Sequence, residues 1–243
     1  DILVHPDSPL TRLAELRDQS MDLLHARLKA SGSPAQRAFM DQLAISRAQA
    51  RNISDALVNN LAAVQDNDVA GQSLGAATLI AMNVTPVVVM RVPFGGDNHG
   101  DPDLINETEQ TETGVKAIAT LMDTLKQYQL EDRVTFATLN VFGRTLRQLG
   151  TSGRHHWADH QVSLMIGRGV RAGVVGGVVP GPSQDYTALP IDSSTGVGSI
   201  DGDVPVAQTL ASFGKTLGSA VGLPAQVVEQ NIGLGKTITS ALV

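Results

Sequence analysis

The side chains able to do chemistry crowd into one stretch of the sequence. Four of the six histidines fall between residues 99 and 160, and His155, His156 and His160 lie within six positions. Asp97 and His99 sit in Gly95-Gly96-Asp97-Asn98-His99-Gly100-Asp101, a Gly-rich loop that presents a carboxylate and an imidazole at short range. Such a pair suits a borderline divalent metal, zinc or manganese, with calcium a further candidate. His156 and His160 are four apart, so on a helical turn both face one way and share one ion. The alternative is a set of solvated loop histidines with no metal. Arg144, in Asn140-Val141-Phe142-Gly143-Arg144-Thr145, follows a strand-like run. Its planar fork suits phosphate or sulfate, although an exposed arginine in a surface ion pair has the same local signature.

Positioning these groups requires elements before and between them. From 8 to 66, Leu10, Leu13, Leu16, Met21, Leu24 and Leu28 recur near the helical period, Ser31-Gly32-Ser33-Pro34 breaks the run, and Phe39, Leu43, Ile45, Ile53 and Leu57 continue it. This predicts a helical hairpin with Pro34 in the first turn of the second helix. From residue 71 helix and strand alternate: a helix over 72–82, a β-branched run over 86–92, and a helix over 109–129 with Val115, Ile118, Leu121, Met122 and Leu125 on one stripe. Strands at 134–139 and 163–166, a Gly- and Pro-rich loop over 167–203 and a helix over 204–223 complete the series. Strand, helix, strand in that order implies a right-handed parallel crossover. The fold class expected is therefore α/β, a mostly parallel sheet flanked by helices, with a hairpin over 1–70 and the α/β portion over 71–243. Ligands then bind beyond the carboxyl ends of the strands.

Composition narrows the function. With 243 residues, 42% hydrophobic and 17% charged, the chain is long enough for a sizeable core, built from aliphatic side chains because aromatics are only 3%. A net charge of −6 without a Lys/Arg run argues against a nucleic-acid partner. There is no cysteine, which removes disulfides and thiolate metal sites and fits an exported protein. The apolar stretch 74–90 is interrupted by Asn83 and Pro86 and reads as helix then strand, not a membrane span. Gly214-Lys215-Thr216 and Gly235-Lys236-Thr237 mimic the end of a P-loop, but Thr209 and Gln230 stand where its first glycine belongs.

Several segments, in order, resemble the bacterial DUF1501 family, specifically its C-terminal half. Gly75-Ala76-Ala77 through Val92-Pro93-Phe94-Gly95-Gly96-Asp97-Asn98-His99 resembles its Ala-rich helix, Val-rich strand and Gly-x-Asp-Thr-His. Asn140 to Thr145 resembles its Ser-Glu-Phe-Gly-Arg-Thr, and Gly153-Arg154-His155-His156-Trp157 its Gly-Arg-Asp-His-Trp. The resemblance implies the metallohydrolase core of alkaline phosphatases and sulfatases, and export to the periplasm or beyond. It places Asp97 and His99 in one group of metal ligands, His156 in another and Arg144 beside an anion site. Arg144 and His155 are then the candidate catalytic groups, and Asp97, His99, His156 and His160 the candidate metal ligands.

Two departures reduce that pattern. Val141 replaces the family's Glu and His155 its Asp, so one metal is a better expectation than two. Asp101 and Asp159 are the acidic residues nearby that could compensate. Nothing in residues 1–70 looks like a strand followed by Asp-Ser or Asp-Thr, where the superfamily carries its nucleophile. Hydrolysis of a phosphate or sulfate ester therefore requires a preceding segment to supply it. The partners expected are a small anionic ester, that segment, or another protein. The other readings are a binding or assembly module that keeps the fold, and a metal-binding exported protein without hydrolase activity.

Overall fold

The computed structural model describes residues 11–61, 64, 66–94, 96–139, 142–148, 152–182 and 185–243. Gly95, Asn140 and Val141 of the motifs above lie outside the described residues, and so do residues 1–10. The chain divides into two compact units, Asp1–Arg91 and Val92–Val243.

In the first unit, α1 (Thr11–Ser31) and α2 (Pro34–Leu61) form a hairpin. Pro34 opens α2 because its missing N–H is one that a first turn leaves unpaired anyway. Ser33 and Gln36 complete a reciprocal cap: Gln36 Oε1 accepts from the Ser33 N–H at 2.8 Å, and Ser33 Oγ from the Gln36 N–H at 3.4 Å. Across the hairpin Arg47 pairs with Asp22 at 2.7 Å and Lys29 with Asp41. Exposed pairs of this kind orient helices more than they stabilise them. α3 (Val69–Ala81) is capped by Asp68, whose carboxylate accepts from the Gly71 N–H at 2.8 Å, and buries Ala76 and Ala77.

The second unit is built on α4 (Ile105–Gln127). Its N-terminal N–H groups are taken by the buried Asp101 carboxylate, which accepts from the Glu107 N–H at 2.9 Å and the Asn106 N–H at 3.2 Å. The buried stripe runs through Gly114, Ala117, Leu121 and Leu125, whereas Val115 is exposed. The apolar face is thus turned slightly from the one that hydropathy predicts. The cause is Gly114, onto which the Phe94 ring packs so closely that an added Cβ would lie 1.9 Å from Phe94 Cδ2. Short antiparallel pairs follow: β1 (Phe136–Ala137) with β4 (Met165–Ile166), β2 (Gly143–Arg144) with β3 (His156–Trp157), and β5 (Val178–Pro180) with β6 (Tyr186–Ala188). The helices α5 (Thr209–Ala220) and α6 (Ala225–Asn231) end the unit. The lysines of the two P-loop-like triplets serve ion pairs: buried Lys215 meets Glu229, and Lys236 meets Asp203 at 2.7 Å.

The expected parallel sheet is not formed. Among the described residues there are six α-helices and three two-stranded antiparallel sheets, and no strand pairs parallel with another. The segment 86–92 shows why its composition misleads. β-branching reports a preference for extended backbone and says nothing about a ladder partner. Here Pro86 has no N–H, the Val87 N–H is taken by Thr85 Oγ1 at 3.2 Å, and the Arg91 N–H by Gln72 Oε1 at 3.0 Å. Val87 and Val89 are 72% and 83% exposed instead of buried in a sheet. The Gly-rich stretch expected as plain loop carries β5 and β6. No described helix is long and apolar enough to cross a membrane.

Candidate functional site

Three backbone segments of the second unit are stitched together around the histidines. The first is the loop 96–101 before α4, anchored where Gln110 Oε1 accepts from the Gly96 N–H at 2.6 Å. The other two are β2 and β3, registered with Gly143 opposite Trp157 and Arg144 opposite His156. The chain before β3 docks directly on the loop: the Gly153 N–H donates to His99 O at 3.0 Å and the Arg154 N–H to Asn98 O at 3.1 Å. Gly153 is required at this crossing, since a Cβ there would lie 1.8 Å from Asn98 O. Arg154 extends the join, its Nη1 donating to Thr145 O at 3.0 Å and its Nε lying 2.8 Å from Glu107 Oε2.

This scaffold brings Asp97, His99, His155, His156 and Arg144 together. The His99 ring lies 4.6 Å from that of His156 and 5.3 Å from that of His155, both edge-on. His156 is backed by the Phe142 ring at 4.1 Å. Asp97 Oδ1 accepts from the His99 N–H at 3.2 Å and also meets His99 Nδ1. Arg144 Nη1 lies 3.2 Å from the same Nδ1. These two contacts at Nδ1 demand different tautomers, because a carboxylate only accepts and a guanidinium only donates. The charge-assisted bond to Asp97 is the stronger, so we assign a proton to Nδ1. Arg144 donates to Gly96 O at 3.1 Å and Arg154 O at 3.2 Å. It is neither a free anion clamp nor a surface arginine but a strut among the three segments.

His160 departs from the group. The helical turn that would align it with His156 is not formed; His156 lies on β3, and the His160 side chain is buried with Nε2 3.5 Å from Asp185 Oδ2. Asp101 is committed to the start of α4, so it does not compensate for the lost carboxylates, and Asp159 is exposed. The sequence reading passed over Asp185 and Asn98. Both are buried polar residues outside the helices and strands, and their types alone carry no signal.

A metal-binding His characteristically donates its other ring N–H to a carboxylate, and the His99 Nδ1–H meets Asp97 Oδ1 in this way. Two imidazoles on one zinc ion have ring centres roughly 5 Å apart, and His99 with His156 meets that spacing. Among the described residues no group of three or more His, Cys, Asp or Glu is arranged to hold an ion. His99 and His156 are two imidazoles at that spacing and do not by themselves make up a ligand set.

Four carboxyl groups of this unit are held below the usual carboxylate range. For Asp97 the cause is the hydrogen bond from the His99 side chain, then the His99 N–H. For Asp192 it is the Ser194 hydroxyl, then the Thr195 N–H, and for Asp203 the Lys236 ammonium, then the Ser193 N–H. Burial raises Asp185, but the N–H groups of Arg147 and Leu146 and the His160 imidazole outweigh it. Each group is a stronger acid folded than unfolded. Each therefore contributes stability that is complete above the unfolded value of about 4 and is lost as pH falls through the lower folded value. The melting temperature is expected to fall steadily from pH 5 to pH 2, with a shallower slope in Asp203→Asn. A melting temperature independent of pH over that range contradicts this account.

The second unit is thus a helix-anchored set of antiparallel hairpins presenting an imidazole–carboxylate–guanidinium cluster. Residues 10–198 match the family model described as "Protein of unknown function (DUF1501)". The chain belongs to the DUF1501 family. No curated protein and no solved structure matches it significantly.

Proposed function

We propose that the cluster is a hydrolase-like binding site for phosphate or sulfate esters, supported by one divalent ion, zinc or manganese, between His99 and His156. The observation that carries this reading is the 4.6 Å approach of the two rings with His99 Nδ1 already directed at Asp97. Held by His99 and His156, such an ion would supply Lewis-acid chemistry toward an ester oxygen or water. The Arg144 guanidinium, although held as a strut, places positive charge beside it, and the His155 ring lies next to His99. Kinship with the alkaline phosphatase and sulfatase superfamily belongs to this proposal, supported by motif order and donor set.

The site is proposed to bind more than to turn over. Thr145, the hydroxyl next to Arg144, is fully buried and accepts from the His155 N–H at 3.2 Å, so it does not face an ester. That observation favours the second reading, a binding module that keeps the family's architecture. Calorimetric titration with zinc and manganese is expected to show one ion per chain. His99→Ala is expected to abolish binding, and Asp97→Ala to weaken it 10- to 100-fold, as loss of a carboxylate behind a ligating histidine does. A wild-type chain that takes up no ion from a tenfold metal excess overturns the proposal. Aryl phosphate or aryl sulfate turnover with the metal bound overturns the binding-only reading.

A further inference from the structure

The hairpin that presents Arg144 and His156 is held from behind by a residue about thirty to forty positions further along the chain. Asp185 is buried, 1% exposed; both its carboxylate oxygens accept from the arm after β2, and Oδ2 also faces the arm after β3. Oδ2 accepts from the Leu146 N–H at 2.9 Å and Oδ1 from the Arg147 N–H at 2.9 Å, immediately after β2. His160 Nε2, three residues after β3, lies 3.5 Å from Oδ2 and has no hydrogen bond at standard geometry among the described residues. A second tie runs from Trp157 Nε1–H to Tyr186 O at 2.7 Å. The hairpin leaves no slack between these ties, because Gly143 sits so close to His160 O that a Cβ there would lie 1.8 Å away.

We propose that Asp185 is a positioning residue for the cluster: through the 146–147 amides and His160 it sets the register and pitch of the β2–β3 hairpin, and so the approach of His156 to His99. The ligand class is that of the functional reading above, on which the metal arm of the test rests. The placement of the rings is measured without it. Asp185, which belongs to neither arm, accepts from two amides of the first and faces the imidazole of the second, and amide donors buried without their acceptor are costly. Removing the charge therefore releases both arms together.

The test is performed on the full chain. Imidazole carbon–proton NMR spectra of the metal-free protein report the mutual ring currents of His99, His156 and Phe142, and zinc titration reports occupancy. Asp185→Asn and His160→Leu are expected to shift the His99 and His156 resonances together and to weaken zinc at least tenfold. His160→Gln, whose amide nitrogen reaches the position of Nε2, is expected to retain the wild-type spectrum and affinity. A merely structural role moves the melting temperature and not this rescue. If Asp185→Asn does not fold, the two His160 variants decide. Unchanged His99 and His156 resonances in folded Asp185→Asn, or in His160→Leu, overturn the proposal. A wild-type protein that binds no zinc removes the functional reading while the resonances still judge the positioning role.

Discussion

Gly153→Ala is expected to destabilise the second unit by about 3 kcal/mol and to disperse the histidine cluster. The added methyl would lie 1.8 Å from Asn98 O and 3.0 Å from the Asp101 N, both backbone atoms. Relief requires the chain before β3 to withdraw from the 96–101 loop. That withdrawal breaks the Gly153 N–H to His99 O and Arg154 N–H to Asn98 O hydrogen bonds. Because the same contacts hold His99 opposite His156, stability and site geometry fail together. Gly173→Ala is the control: a Cβ there meets nothing within 4 Å, so the change is neutral or slightly stabilising. Chemical denaturation followed by fluorescence of Trp157, the single tryptophan, measures both. Equal midpoints for the two variants contradict the packing described.

The second large effect separates the observed fold from the parallel sheet that composition suggests. Leu125 on α4 is 2% exposed, so Leu125→Ala is expected to cost about 3 kcal/mol in lost burial and residual cavity. Val89 belongs to the β-branched run that most resembles a central strand, yet it is 83% exposed. Val89→Ser is accordingly expected to change stability by no more than about 0.5 kcal/mol. In a buried parallel strand the same substitution would rank with core damage. Thermal unfolding followed by circular dichroism distinguishes these outcomes, and a Val89→Ser loss as large as that of Leu125→Ala would contradict the extended, unladdered segment.

What could be read from residue order alone divides by physical range. Helices were legible because their period and caps are local: Pro34 begins α2, and an apolar stripe marks α4. The stripe's orientation was not, because Gly114 is buried by Phe94, twenty residues earlier, and hydropathy gives a glycine no weight. Strand tendency was legible at 136–137 and 165–166, but pairing was not. Ladder direction depends on which backbone groups find partners, and the Thr85 and Gln72 side chains take the Val87 and Arg91 amides of the 86–92 run. In the site, Asp97, His99 and His156 stood out by type and spacing, and the structure gathers them in one place. His160 had the right spacing for a helix and lies beyond a strand, so it turns to Asp185. Asp185 itself could not be singled out, since its importance lies in the Leu146 and Arg147 amides it accepts from.

The account depends on one ion shared by His99 and His156, and a double-mutant cycle measures that sharing directly. Zinc affinity is determined calorimetrically for the wild type, His99→Ala, His156→Ala and the double variant. If both rings serve one ion, either single substitution removes most of the affinity, and the second adds little to the first. Losses that simply add, or a wild-type protein that binds no zinc, contradict it.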